Sequence, residues 1–154
     1  MRAFNFRLAT LLRLREASRE KSLLEYAKSI QERQQTEDRL KRANEYVSTL
    51  EFKLNEKQKV SFNANELEAV IGGLDHARTV VRDLSTELSR KKTLEESRRK
   101  LFVQKDSESK SLDRLKDRQM HEHIEFEAKK EEQQLDDVIG ARFLYERSNP
   151  GILL

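Results

Sequence analysis

Apolar residues recur at alternating three- and four-residue spacing along two stretches of the chain. Leu40, Ala43, Val47, Leu50 and Leu54 form the first, and Val70, Leu74, Ala77, Val81, Leu84 and Leu88 form the second. Between them, Ser61-Phe62-Asn63-Ala64-Asn65 collects turn-prone residues. The spacing marks one face of an α-helix. A helix with so narrow a seam, and charge elsewhere, buries the seam against a second helix. The pattern predicts helix 1 over about 8–60, a turn over 61–65 and helix 2 over about 66–146. Leu8, Leu11, Leu12, Leu23, Ala27 and Ile30 carry the periodicity of helix 1 back toward the N-terminus, with no Gly or Pro to interrupt it. Asn65 is expected to cap helix 2, with Glu68 completing a capping box. Ser148-Asn149-Pro150-Gly151 ends that helix, because Pro lacks a donor and restricts the residue before it. Residues 148–154 then form a tail closing on Ile152-Leu153-Leu154.

A short turn makes the two helices antiparallel neighbours. The expected fold is therefore all-α, an antiparallel coiled-coil hairpin spanning 1–147 as one domain. Folding about residue 63 sets Leu50 near Ala77, Leu40 near Leu84, Leu23 near Leu101-Phe102, and Leu12 near Leu112 and Leu115. Residues 31–39 contain no apolar side chain and fall opposite 88–95. Gln34 and Glu37 are expected to meet Arg90, Lys91 and Lys92 there, in a polar layer that fixes register. Helix 2 outruns helix 1. Its end, from about His123 to Glu146, carries Phe126, Leu135, Val138, Ile139, Phe143 and Tyr145 and reads as a docking surface, the alternative being a frayed helix end. Gly72-Gly73 has three readings: a weak place near the turn, a site where another backbone approaches closely, or the turn itself with 66–71 as a separate small helix.

Composition sharpens this picture. The chain has 154 residues, 38% of them charged, with four Gly, one Pro and no Trp. Such a balance with helical periodicity belongs to long helices and coiled coils, and the repeated stripe argues against disorder. Net charge is only +3 because both signs are interleaved, which suits a solvated, ion-paired surface. Without Cys there is no disulfide and no thiolate metal site. The opening Met-Arg-Ala-Phe-Asn-Phe-Arg-Leu has no apolar core of a secretory signal. No stretch approaches the roughly 20 apolar residues of a membrane span, so a cytoplasmic location is expected.

Candidate chemistry is sparse. There is no Gly-rich phosphate loop and no nucleophile elbow. In His121-Glu122-His123 the two imidazoles stand two residues apart, on different helix faces, and His121 with Glu125 lacks a third ligand. His76 lies at the edge of the Leu74-Ala77 stripe. The many carboxylates have no enclosed pocket to shift their pKa values. Neither enzyme activity, cofactor nor metal is expected. The cluster Arg90-Lys91-Lys92 with Arg98-Arg99-Lys100 is interrupted by Glu95 and Glu96 and is not interleaved with aromatics. It reads as a solvated face, or second as a contact for an acidic protein, ahead of nucleic-acid binding, which is not expected.

The two ends of the chain resemble the flagellar FliJ family of the type III protein export apparatus. The resemblance rests on Phe4-Asn5-Phe6-Arg7-Leu8 followed by Leu11-Leu12-Arg13-Leu14-Arg15-Glu16. It rests also on Leu112-Asp113-Arg114-Leu115-Lys116-Asp117-Arg118-Gln119 and Lys129-Lys130-Glu131-Glu132-Gln133-Gln134-Leu135-Asp136-Asp137. It implies a hairpin similar to the central stalk of rotary ATPases. It also implies three partners: the hexameric export ATPase, the export-gate membrane protein and flagellar export chaperones. By this likeness Phe4, Phe6, Leu8, Leu11, Leu12, Arg118, Gln119, Gln133, Leu135 and Asp136 are the ATPase contacts. Val70, Leu74, Ala77 and Val81 match the gate-facing stripe, although Val70 stands where some relatives carry an aromatic and Val81 where they carry a polar residue. The same four residues equally suit a seam facing helix 1.

The function so implied is a non-enzymatic component of flagellar export, serving motility and chemotaxis. It would couple the ATPase ring to the gate at the cytoplasmic face of the inner membrane and be monomeric when free. The alternatives are the equivalent rod of a virulence-type secretion system and a homodimeric coiled-coil scaffold.

Overall fold

A computed structural model of the chain describes residues 2–60 and 63–151. Two long helices, α1 (Ala9–Lys59) and α2 (Ala64–Ser148), account for nearly all of them. They pack against each other as a hairpin, with no strand among the described residues. Ser61 and Phe62 of the expected turn lie outside the described residues, as do Ile152, Leu153 and Leu154 of the tail.

Local chemistry sets the helix ends. Lys57 and Lys59 lie in the last turn of α1, where cations favour the helix dipole. The cap of α2 is Asn63, two residues earlier than the expected Asn65. Asn63 Oδ1 accepts from the backbone of Asn65 at 3.3 Å, and its carbonyl accepts from Glu66 at 3.1 Å and Leu67 at 3.2 Å. Ala64 tolerates a helix, so the helix extends back to the first residue able to cap it. Glu66, rather than Glu68, then occupies the first turn. At the far end, the backbone N–H of Asn149 donates to the Tyr145 carbonyl at 3.0 Å, and its side-chain amide donates to the same oxygen at 3.3 Å. Pro150 follows. Gly72 and Gly73 lie inside α2, which runs straight through them, so the turn is not there and 66–71 is not a separate helix. A Cβ added at either would meet nothing within 4 Å, so no close approach within the chain requires them.

The chain forms two compact units: Met1–Ala17 with Ser107–Leu154, here the terminal unit, and Ser18–Asp106, the turn unit.

In the turn unit, buried and half-buried positions repeat every seven residues. On α1 they are Ser22, Ser29, Thr36, Ala43 and Leu50, alternating with Tyr26, Arg33, Leu40, Val47 and Leu54. On α2, Leu67, Leu74, Val81, Leu88, Glu95 and Phe102 alternate with Val70, Ala77, Leu84, Lys91 and Arg98. This is one unbroken heptad frame whose chemistry changes along its length. Near the turn it is apolar: Leu50, Leu74 and Ala77 form a buried cluster, with Val47 and Leu54 packed on it. The expected Leu50–Ala77 neighbourhood is thus present. Register holds farther on. For the cross-helix pairs Glu51–Arg78, Glu32–Lys91 and Glu25–Arg98, the two residue numbers add to between 123 and 129, close to twice 63.

Away from the turn the seam becomes polar. Thr36 is 2% exposed and its hydroxyl donates to the Glu32 carbonyl at 3.0 Å. Buried Ser29 donates to the Tyr26 carbonyl at 2.6 Å. Arg33 joins Glu95 across the seam and Glu37 along its own helix, and Glu32 meets Lys91 at 3.3 Å. A polar layer therefore exists and includes the expected Glu37 and Lys91, but Arg33, Glu32, Glu95 and Thr36 build it where Gln34, Arg90 and Lys92 were expected. Gln34 is exposed, because it falls outside the heptad frame that brings Arg33 and Thr36 inward. Beyond this layer Tyr26 and Phe102 stack in near-parallel fashion, with centroids 6.3 Å apart. Arg19 lies 5.6 Å over the Phe102 ring and pairs with Asp106 at 2.6 Å.

In the terminal unit the segment before α1 folds onto α2. Ala9 N–H donates to the Phe6 carbonyl at 3.1 Å, which turns the chain into the helix. Phe6 and Leu12 are buried, as are Ser109 and Glu127 on α2. Arg15 pairs with Glu108 at 2.8 Å. The α2 residues 128–145 are all exposed.

Candidate functional site

Three surfaces carry the residues singled out by sequence. The first is the base of the terminal unit. There the Phe4 ring lies 5.6 Å from the His123 ring at a 48° tilt. His123 Nε2 sits 2.9 Å from the Arg2 carbonyl, to which it donates. This contact ties the non-helical N-terminal segment to α2. It brings Phe4, Phe6 and Leu12 into one unit with Arg118 and Gln119. Within that set Phe6 and Leu12 are each 5% exposed and serve the packing itself. Phe4, Leu8 and Gln119 are half-buried, while Leu11 and Arg118 face solvent.

The second surface is the far part of α2, where Gln133, Leu135 and Asp136 are all exposed and Leu135 keeps 59% of its surface open. The third lies near the turn. Leu74 is 4% and Ala77 5% exposed, both inside the cluster with Leu50, and Val70 and Val81 are half-buried beside them. In the closed hairpin these four side chains fill the seam.

The electrostatics of the turn unit follow from paired charges. The hydrogen bond that Arg33 donates to Glu37 holds its guanidinium above its ordinary pKa against partial desolvation, with Glu95 adding to the effect. Arg99 holds the Glu96 carboxylate below the ordinary glutamate value through two contacts of 2.7 and 3.0 Å. The basic run at 90–100 is therefore partly consumed: Lys91, Arg98 and Arg99 each pair with a carboxylate. His121 lies 3.8 Å from Glu125 on an open face of the helix.

The family model described as the flagellar FliJ protein matches residues 4–149. The chain belongs to the FliJ family. FliJ proteins are components of the flagellar type III export apparatus, structural stalk proteins rather than enzymes. The match spans both terminal signatures and the turn between them, so FliJ membership rests on nearly the whole chain. No curated protein and no solved structure matches it. Among the described residues of this FliJ chain, no helix is long and apolar enough to cross a membrane.

Sequence reading missed His123 as a structural residue of this FliJ chain, weighing it as a metal ligand and as the start of the overhanging end of helix 2. The signal was the heptad frame itself: stepping by seven from Ser109 through Lys116 reaches His123. Half-buried His123 therefore stands where a seam residue is due.

Proposed function

We propose that this FliJ-family chain couples the hexameric export ATPase to the export gate and binds export chaperones, without catalysing a reaction itself. It would act in the cytoplasm, at the cytoplasmic face of the inner membrane. Support comes from one observation above all. Segments 1–17 and 107–154 form one compact unit, so a ring gripping that end would hold both termini together. In this reading Leu11, Arg118, Gln133, Leu135 and Asp136 meet the ATPase directly. Phe4, Phe6, Leu8, Leu12 and Gln119 shape the surface and join the contact at its edges.

The gate contact in this reading requires opening. Val70, Leu74, Ala77 and Val81 cannot pack on Leu50 and on a gate protein at once, so the apolar seam near the turn parts when the gate binds. The test is a pull-down of the purified chain with the export ATPase and with the cytoplasmic part of the gate protein. Leu11→Asp with Leu135→Asp is expected to abolish ATPase capture and spare gate capture. A wild-type chain that captures neither partner overturns the proposal.

A further inference from the structure

We infer that the exposed end of α2 is a self-pairing surface, on which a second copy of this chain docks antiparallel with its two-fold axis at Ile139. Residues 128–145 of α2 are exposed throughout. Leu135, Val138, Ile139 and Phe143 recur at three-four spacing, and each keeps more than half of its surface open. Ile124 extends the same stripe toward the base of the unit, and Tyr145 continues it toward the helix end. The stripe is not the hairpin seam continued. At about 100° per residue, Leu135 lies roughly 80° and Ile139 roughly 120° round the helix from Glu127, the last buried residue of α2. A helix face of this kind, long, apolar and rimmed by charge, is completed by another helix.

Charge decides which helix and which direction. Glu131, Glu132, Asp136 and Asp137 lie on the N-terminal side of Ile139, where residues 131–137 include no cation. Arg142 and Arg147 lie on the C-terminal side, with Glu146 as its one carboxylate. An antiparallel crossing at Ile139 sets Leu135 opposite Phe143, Asp136 opposite Arg142 and Glu131 opposite Arg147, twice over by symmetry, and its one like-charge level, Glu132 opposite Glu146, is offset by the Arg142–Glu146 pair at 3.2 Å within each helix. A parallel crossing sets four carboxylates against four. The surface is thus self-complementary in one orientation only, as an isologous interface requires. The expected monomer is consistent with a hairpin seam satisfied within one chain, whereas this stripe lies outside that seam. A single helix pair is a small interface, so the association is weak and concentration-dependent. Leu135 and Asp136 also belong to the proposed ATPase contact, so pairing and ATPase binding exclude each other. The inference stands whether or not that contact exists.

The chain lacks cysteine, which makes engineered cross-linking of the full protein clean. Under mild oxidation Ile139→Cys is expected to form a disulfide-linked dimer. Leu135→Cys and Phe143→Cys are each expected to link poorly alone and efficiently when the two variants are mixed. In sedimentation equilibrium the unmodified chain is expected to dimerise in the micromolar range. Arg142→Glu with Arg147→Glu, both at exposed positions, should weaken that dimer at least tenfold. Equal self-linking at 135, 139 and 143 would mean a parallel pair. A chain that stays monomeric to several hundred micromolar, with no link at 139, would remove the interface altogether.

Discussion

The Phe4 ring packs 5.6 Å from the His123 ring, and the same imidazole holds the Arg2 carbonyl at 2.9 Å. One side chain of α2 therefore fixes both ring and backbone of a segment that has no helix of its own. An aromatic contact and a hydrogen bond of this kind together contribute about 1–2 kcal/mol. His123→Ala is expected to loosen residues 2–8 while leaving α1 and α2 formed. Amide exchange should rise in that segment, and limited proteolysis should cut before Ala9. His123→Phe keeps the ring contact and loses the hydrogen bond, so it should recover part of the protection. Unchanged exchange in both variants would show that Phe6 alone anchors the segment.

Leu74 is among the most buried apolar residues and sits with Leu50 and Ala77 in the cluster nearest the turn. Leu74→Ala is expected to cost about 2–3 kcal/mol, read as a lower midpoint in urea-induced loss of helical circular dichroism. Joining Leu50→Cys to Ala77→Cys by oxidation should raise that midpoint. If the gate binds by parting the seam, the same bridge should block gate capture and leave ATPase capture intact.

Glu96 hydrogen-bonds Arg99, and its carboxyl is held below the ordinary value of 4.5. A lowered folded-state pKa means that the pair's contribution is present above the ordinary value and is lost as pH falls through the folded one. Both groups face solvent, so the effect on global stability is small. The carboxyl carbon of Glu96 is expected to titrate below that of an unpaired surface glutamate in NMR. Arg99→Ala should move the midpoint back up. No movement on removing Arg99 would assign the shift to another group.

The helical hairpin and its register were legible because apolar spacing near the turn is regular and a turn-prone cluster separates two matching stripes. The cap was misplaced because Asn63 and Asn65 are chemically equal candidates, and only backbone geometry chooses between them. The polar layer was legible as a gap in the apolar pattern. Its membership was not, because Gln34 and Arg33 look alike to an apolar count and only the heptad phase separates them. Burial of Ser22, Ser29 and Thr36 was hidden for the same reason: hydroxyl residues in a coiled-coil seam carry no hydropathy signal. Among the candidate contacts, spacing alone could not tell that Leu74 and Ala77 face the seam while Leu135 faces water, since that depends on which helix lies alongside.

The polar part of the turn unit should respond to salt in the opposite sense from the apolar part. Glu32–Lys91, Glu25–Arg98 and Arg19–Asp106 cross the seam with side chains only partly shielded, so about 1 M salt screens them strongly. The cluster of Leu50, Leu74 and Ala77 is flanked by one such pair, Glu51–Arg78, which is half-exposed and contributes little, and apolar burial does not weaken with salt. Raising sodium chloride is therefore expected to speed amide exchange over residues 22–37 and 91–106 and to leave residues 47–54 and 74–84 unchanged or slower. Thr36→Val with Ser29→Ala offers a second test. Each buried hydroxyl already bonds its own helix backbone, so replacing it strands no partner. The double variant should gain about 1 kcal/mol while the salt response of the ion pairs persists. Loss of that response would make the hydroxyls, and not the ion pairs, the origin of the seam's salt sensitivity.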